Sequence, residues 1–219
     1  LLPVSCRKAH GCEMPSNVEV AEIVKKDDRR FLGFASVDPN ATGDALQELR
    51  LAHDQLGLKG LKLNPALQDF DPAGSSASDV YREAERLQMP LLIHTGITFS
   101  NRFSIGYNQP LLLDDVARRY PQLKICLAHL GWPWVLDAVT VAIRTPNVYL
   151  DTAGAFAGTP IESIRQITTL IPARLIENTL GEKLMFGSDF PRIEMNKMFA
   201  AISSLPVRKD VLEAILQRN

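Results

Sequence analysis

The chain of 219 residues has little cysteine and almost no net charge. Its three cysteines, Cys6, Cys12 and Cys126, form neither an even set nor a paired metal-ligand spacing, which predicts reduced thiols. The 24 basic and 25 acidic residues nearly cancel, and no Lys/Arg cluster forms a phosphate-binding stripe. We therefore expect a cytoplasmic protein with a small-molecule substrate and without a nucleic-acid partner.

Long apolar runs are missing as well. No run reaches the length of a membrane span, and no charged and then apolar leader precedes the first residues, which predicts a soluble protein without a membrane partner. The size and the 46% of hydrophobic residues predict one domain over residues 1–219. The start on Leu1–Val4 without Met, and the end at Asn219 inside a helical pattern, indicate a fragment at both ends.

Short apolar runs alternate with longer segments of helical spacing, which is the pattern of βα units. The predicted strands are Leu1–Val4, Phe31–Val37, Gly60–Leu63, Leu91–His94, Lys124–Ala128, Val148–Asp151 and Leu184–Gly187. The predicted helices are Asn17–Lys26, Ala45–Leu56, Ser78–Leu87, Leu112–Tyr120, Trp134–Ile143 and Ile161–Asn178. Such a parallel sheet closes into a barrel or spreads as an open, doubly wound sheet. The absence of a glycine-rich phosphate loop favours the α/β class of (β/α)8 TIM-type barrels.

Polar side chains follow several of the predicted strands. Lys62 and Asn64, His94, His129 and Asp189 each stand at or just beyond a strand's carboxyl end, where barrel active sites are assembled. Imidazole and carboxylate are ligands of a hydrolytic zinc ion that leaves one position open for water. A lone histidine is more often structural, but three such residues at equivalent strand ends favour a site.

Three segments of the chain resemble the amidohydrolase-related (amidohydrolase 2) family of metal-dependent hydrolases, which includes the aminocarboxymuconate-semialdehyde decarboxylase-like group. These segments are Met89–Gly96 (MPLLIHTG), Leu127–Pro133 (LAHLGWP) and Leu184–Pro191 (LMFGSDFP). The resemblance extends to Phe34–Pro39, Gly60–Pro65 and Asn147–Thr152, and so covers essentially the whole chain. It implies a distorted barrel with one divalent metal ion, zinc in the first place and manganese as the alternative.

The resemblance also implies roles for three residues. His94 corresponds to a metal ligand, and Asp189 corresponds to a ligand that also accepts a proton. His129 corresponds to an acid–base or electrophilic residue. The family's His-x-His pair on the first strand has no counterpart, since the other histidines, His10 and His53, are expected in a solvated loop and on a helix surface. The chain is therefore expected to lack the first barrel strand.

Four further residues are assigned to substrate binding: Lys62, Asn64, Trp132 and Arg192. Lys62 would grip a carboxylate or a metal-linked group, with simple solvation as the alternative. Trp132 would form a wall of the pocket, with packing of its loop as the alternative. Asp151 points either into the mouth or caps the following loop.

The sequence predicts a metal-dependent hydrolase that acts on a small ester, lactone or amide through metal-activated water. One alternative is a metal-dependent nonoxidative decarboxylase (a lyase) of a small aromatic or enoic carboxylic acid, because the two groups share these motifs. A noncatalytic barrel that serves as a binding module is a third interpretation. Burial argues against Cys126 as a nucleophile, and relatives of this kind often form homodimers.

Overall fold

The computed structural model describes residues 1–6, 9, 11, 14–154 and 158–219. Its centre is one sheet of six parallel strands that follow each other in chain order. The strands are β1 (Phe34–Ala35), β2 (Gly60–Leu63), β3 (Leu91–Ile93), β4 (Ile125–Leu127), β5 (Val148–Asp151) and β6 (Leu184–Met185). Helices connect successive strands, and β1 and β6 do not pair with each other within the described ranges. This is the order of a TIM-type barrel that is open between β1 and β6.

Helices form in the six segments that the apolar spacing predicts, and among the described residues three further helices, Pro65–Gln68, Met195–Ser203 and Lys209–Glu213, were not predicted. In chain order the helices are α1 (Asn17–Lys25), α2 (Thr42–Asp54), α3 (Pro65–Gln68), α4 (Ser75–Arg86), α5 (Leu112–Arg119), α6 (Val135–Arg144), α7 (Pro160–Leu170), α8 (Ala173–Leu175), α9 (Met195–Ser203) and α10 (Lys209–Glu213). Short 3₁₀ segments cover Pro39–Ala41, Ile105–Asn108 and Ala128–Gly131, and π-helical turns cover Ile176–Leu180 and Ala214–Arg218. No described helix is both long and apolar enough to cross a membrane.

Strand residues alternate between the helical layer and the interior of the barrel. Leu91, Ile93 and their neighbours in register, Ile125 and Leu127, are fully buried in the core. The residues between them, Leu92 and Cys126, line an internal cavity, and the same holds for Lys62, Tyr149 and Met185. Because the side-chain period of a strand is two, the polar strand ends on the cavity-facing side open into the same space.

The predicted strand Leu1–Val4 is wrong, since the structure has no strand there. The segment runs beside β1, where the Phe34 amide donates to the Leu1 carbonyl at 3.0 Å. Pro3 has no amide hydrogen, and the Ser5 amide donates to the Ser36 hydroxyl at 2.9 Å instead of to a strand carbonyl. A regular ladder therefore does not form.

The predicted helix Ile161–Asn178 is interrupted. Thr159 begins α7 with a capping box in which Glu162 takes part, but the helix ends at Leu170. Pro172 cannot donate an amide hydrogen and disfavours helical backbone at the preceding residue, so a new helical segment, α8, begins after it.

Buried amide side chains connect the loops at the carboxyl ends of the strands. Gln68 donates to the carbonyls of Val37 and Ser5, each at 2.8 Å, and accepts from the Asn64 amide at 2.7 Å. Asn108 accepts from the Ala66 amide at 3.0 Å and donates to the Gly96 carbonyl at 3.1 Å. These bonds satisfy backbone groups that have no partner in the sheet, and they hold the rim of the cavity in one arrangement.

Candidate active site in the barrel interior

A cavity of about 1810 Å³ occupies the interior of the open barrel. It extends from the carboxyl ends of the strands down to Lys124 and Tyr149. Six residues that the sequence assigns to the site line this cavity: Lys62, Asn64, His94, His129, Asp189 and Arg192. The fold therefore brings together side chains that lie up to 130 positions apart (192 − 62) in the chain.

The two histidines form the centre of the site. Their ring centroids lie 4.7 Å apart in an edge-to-face arrangement. His94 Nε2 lies 3.0 Å from the Ile97 carbonyl oxygen, and His129 Nδ1 lies 3.0 Å from the Ala153 carbonyl oxygen. Because a carbonyl oxygen only accepts, each of these nitrogens carries hydrogen. The lone pair is thus at Nδ1 of His94 and at Nε2 of His129 in the neutral rings.

Burial keeps both imidazoles neutral near neutral pH. It lowers the pKa of His94 well below the ordinary value, and His129 and Lys62 lower this pKa further. Burial also lowers the pKa of His129, while the carboxylates of Asp151 and Asp189 act in the opposite direction. Lys62 lowers the pKa of His129 further, so the two carboxylates offset burial and the Lys62 charge only in part.

Asp151 holds the backbone around His129. Its Oδ1 accepts from the amides of His129 and Ala153, at 2.8 and 2.9 Å. His129 and the following Leu130 have left-handed backbone, with φ of 62° and 49°, which side chains other than glycine rarely adopt. Asp151 also borders the cavity, and the Cys126 thiol lies 3.9 Å from its Oδ2. Asp151 therefore does both things that the sequence allowed: it borders the cavity and it caps the backbone of the following loop.

These contacts predict different effects for two substitutions. Asp151→Asn keeps an oxygen acceptor for both amides, so we expect His129 to remain hydrogenated at Nδ1. Asp151→Ala leaves buried amides without a partner, so we expect a loss of about 2 kcal/mol in the free energy of unfolding and a changed His129 ring environment. Urea denaturation and ¹⁵N NMR of the imidazole nitrogens measure the two effects. Unchanged His129 signals in the alanine variant would contradict this role.

Lys62 is a buried cation without a direct partner. It is only 7% exposed, and within the described part of the chain its ammonium makes no hydrogen bond or ion pair. Burial lowers its pKa, while Asp151, Cys126 and Asp189 oppose that change from a distance. An ammonium in such surroundings is stabilised by an anion that enters the cavity, because the ligand supplies the missing charge partner.

Asp189 and Arg192 lie at the rim. Asp189 has left-handed backbone, with φ of 64°, and its Oδ2 is 3.7 Å from Arg192 Nη1. The Arg192 guanidinium carbon lies 4.2 Å from the centre of the Phe99 ring. Phe99 belongs to no sequence motif that would predict a role in the site. It reaches Arg192 only through the folding of the loop after β3.

Two other predicted binding residues have structural contacts. Asn64 caps α3 through its side-chain oxygen, which accepts from the Leu67 amide at 3.2 Å, although the residue also lines the cavity. Trp132 does not line this cavity but packs against the core. The three residues before Trp132, which are His129, Leu130 and Gly131, all have left-handed backbone.

The remaining sequence candidates lie away from the site or outside the described residues. His53 is on α2, with Nδ1 2.7 Å from the Asp54 carboxylate, as expected for a surface residue. Burial raises the pKa of the Cys126 thiol, which agrees with its interpretation as a poor nucleophile. His10 and Cys12 lie outside the described residues.

The implied divalent ion finds an incomplete donor set. His94 and Asp189 both border the cavity, but no group of three or more His, Cys, Asp or Glu side chains converges within the ranges that the structure describes. A structural or catalytic ion needs at least three protein ligands in most known sites. These side chains therefore do not make a metal site by themselves.

Comparisons with known proteins agree with this architecture. A sequence profile with the description "Amidohydrolase" matches residues 8–219. The chain is 25% identical over 202 residues to 2-amino-3-carboxymuconate-6-semialdehyde decarboxylase from Dictyostelium discoideum, an alignment that covers 80% of this chain. The chain spans 55% of the length of that relative.

Solved structures show the same fold. An uncharacterized TIM-barrel protein from Bordetella bronchiseptica is similar with a TM-score of 0.82 and 22% identity, over 99% of this chain and 73% of that one. Dihydroxybenzoic acid decarboxylase from a Polaromonas species, with bound manganese and 2-nitroresorcinol, has a TM-score of 0.65 and 18% identity, over 91% and 70% of the two chains. The prediction of a TIM-type barrel is thereby confirmed.

Proposed function

The chain belongs to the amidohydrolase family, and on that premise we propose that it is a nonoxidative decarboxylase of a small aromatic or enoic carboxylic acid. The observation that carries this proposal is the buried ammonium of Lys62, which has no direct partner in the described ranges and shares its cavity with two neutral imidazoles. A buried cation of this kind selects an anionic substrate, whereas an ester, lactone or amide offers it no charge.

The decarboxylase alternative fits the relatives better than the hydrolase that the motifs suggest first. Decarboxylases stand among both the sequence relatives and the structural ones. Hydrolysis of an ester, lactone or amide is not confirmed. The substrate, the homodimer and the cytoplasmic location also stay predictions.

The proposed reaction replaces a carboxylate by hydrogen. Lys62 binds the anionic substrate. His129 Nε2 accepts a proton from the substrate or from solvent and returns it to the carbon that carries the carboxylate. The bond to the carboxylate then breaks, its electron pair stays with the substrate, and carbon dioxide leaves. Asp151 and Asp189 favour the protonated imidazole during the transfer.

A divalent ion is part of what the family implies, and the Polaromonas relative contains manganese. In this chain His94 and Asp189 would be two of its ligands, with zinc and manganese as the alternatives. Since the described residues bring no third donor to them, the proton transfer is assigned to the side chains alone.

A labelling experiment separates decarboxylation from hydrolysis. The purified full-length protein is incubated with a panel of hydroxybenzoates, enoic acids, and their methyl esters and lactones, in D₂O or in H₂¹⁸O. We expect carbon dioxide in the same amount as the acid consumed, with deuterium at the vacated carbon. Oxygen-18 in a newly formed carboxylate without carbon dioxide would instead establish the hydrolase. Binding of acids without turnover of any compound would favour the noncatalytic module.

A further inference from the structure

The mouth of the cavity carries exposed aromatic rings around one arginine. Phe99 and Phe190 are 72% and 66% exposed, and both line the cavity together with Arg192. Phe99 belongs to the loop after β3, and Phe190 and Arg192 belong to the loop after β6. Exposed aromatic rings beside a cavity offer apolar surface to a ligand that enters it.

Arg192 is held in place from two sides. Its guanidinium carbon lies 4.2 Å from the Phe99 ring centre, and its Nη1 lies 3.7 Å from the Asp189 carboxylate. A guanidinium that packs on an aromatic ring keeps its N–H donors in the plane of the group, where they match the two oxygens of a carboxylate. With 44% of its side chain exposed, Arg192 remains accessible at the mouth.

Lys62 and Arg192 are two cations at different depths of the same cavity. Lys62 lies within β2, two positions before Asn64. At roughly 3.3 Å per residue along a strand, Lys62 is about 7 Å deeper in the barrel than Asn64. Arg192 lies beyond the end of β6, three positions after Asp189. Lys62 and Asp189 border the same cavity although three strands, β3, β4 and β5, separate β2 from β6 in the sheet. A ligand that extends from the interior to the mouth passes both cations.

We propose that Arg192, oriented by Phe99, is a specificity-determining residue that binds a second anionic group of the substrate. The substrate class is therefore a planar diacid, with one anionic group at Lys62, the second at Arg192, and its planar part beside the aromatic rings of the mouth. This inference rests on the proposed function because it takes Lys62 as the first anion-binding residue.

Binding measurements test the inference without requiring turnover. The probes are 3-hydroxybenzoate, a monoacid, and 5-hydroxyisophthalate, a diacid with the same ring and hydroxyl group. Isothermal titration calorimetry gives both dissociation constants for the unchanged protein and for Arg192→Met, Arg192→Lys and Phe99→Leu. We expect the unchanged protein to prefer the diacid by about tenfold or more, because a charge-assisted bidentate contact contributes about 1.5–3 kcal/mol.

The ratio of the two dissociation constants is the decisive quantity. It should approach one in Arg192→Met and fall partly in Arg192→Lys and Phe99→Leu, while Arg82→Met, which removes an exposed arginine on α4, keeps the original ratio. An unchanged ratio in Arg192→Met overturns the inference. Monoacid binding that is lost in Lys62→Met, without a preference of the unchanged protein for the diacid, overturns this inference alone. Failure of the unchanged protein to bind either acid overturns the anion site of the proposed function as well.

Discussion

Substitution of Lys62 by methionine is expected to lower kcat/KM for carbon dioxide release by at least about 100-fold, which corresponds to 2.7 kcal/mol of lost binding to the transition state. The physical reason is the position of the ammonium, which is buried and finds no direct partner among the described residues, so that an entering anion supplies one. Methionine has a similar shape but no charge. Steady-state kinetics with an acid from the labelling panel measures the effect.

The same substitution should not destabilise the fold. Burial of an unpaired ammonium costs free energy, so Lys62→Met is expected to leave the unfolding midpoint unchanged or to raise it. Lys124→Met is the matched control, since Lys124 lines the same cavity away from the carboxyl ends of the strands. Equal losses of activity in both variants would indicate a general effect of positive charge and would remove Lys62 from the mechanism.

Substitution of His129 by alanine is expected to reduce kcat by about 10²–10⁴-fold, with a much smaller change in KM. In the neutral ring the lone pair is at Nε2, and two carboxylates act in favour of the protonated form, so the ring can accept a proton and return it. Addition of imidazole to His129→Ala should restore part of the rate, because a free imidazole can enter the space that the side chain leaves.

A control variant separates catalysis from folding. His53→Ala changes a partly exposed histidine on α2 that pairs only with Asp54 among the described residues, and it should keep full activity. If His129→Ala retains its kcat, or if imidazole restores nothing while the fold is intact, proton transfer through His129 is wrong.

Much of the fold could be predicted because its signals are local. The run Leu91–Ile93 is apolar at every position and forms β3, and α1 begins after the cap Ser16 with a capping box, as the helical spacing from Asn17 predicts. The strand predicted at Leu1–Val4 does not form. An apolar run predicts a strand from composition alone, and this prediction takes no account of whether the neighbouring segment can form a regular ladder of backbone hydrogen bonds with it. The single helix predicted at Ile161–Asn178 is wrong because the apolar spacing continues across Pro172, whereas the helical backbone ends before this proline.

The candidate site could be predicted in part. Polar residues such as His94 and Asp189 stand just beyond strand ends, and parallel strands bring their carboxyl ends to one edge, so their meeting in one cavity follows from the pattern. Trp132 was assigned to the same cavity but lies outside it, since the direction of its side chain depends on three left-handed residues before it. No spacing rule predicts such a turn.

The sequence by itself determined the parallel βα order, the family, and the set of polar residues that end the strands, because each depends on neighbours along the chain. Only the tertiary structure decided which imidazole nitrogens carry hydrogen, that Asp151 supports His129, and that Phe99 packs on Arg192. The contacts of Asp151 with His129 and of Phe99 with Arg192 join residues 22 and 93 positions apart (151 − 129; 192 − 99), and such contacts exist only after the sheet curves and its loops meet.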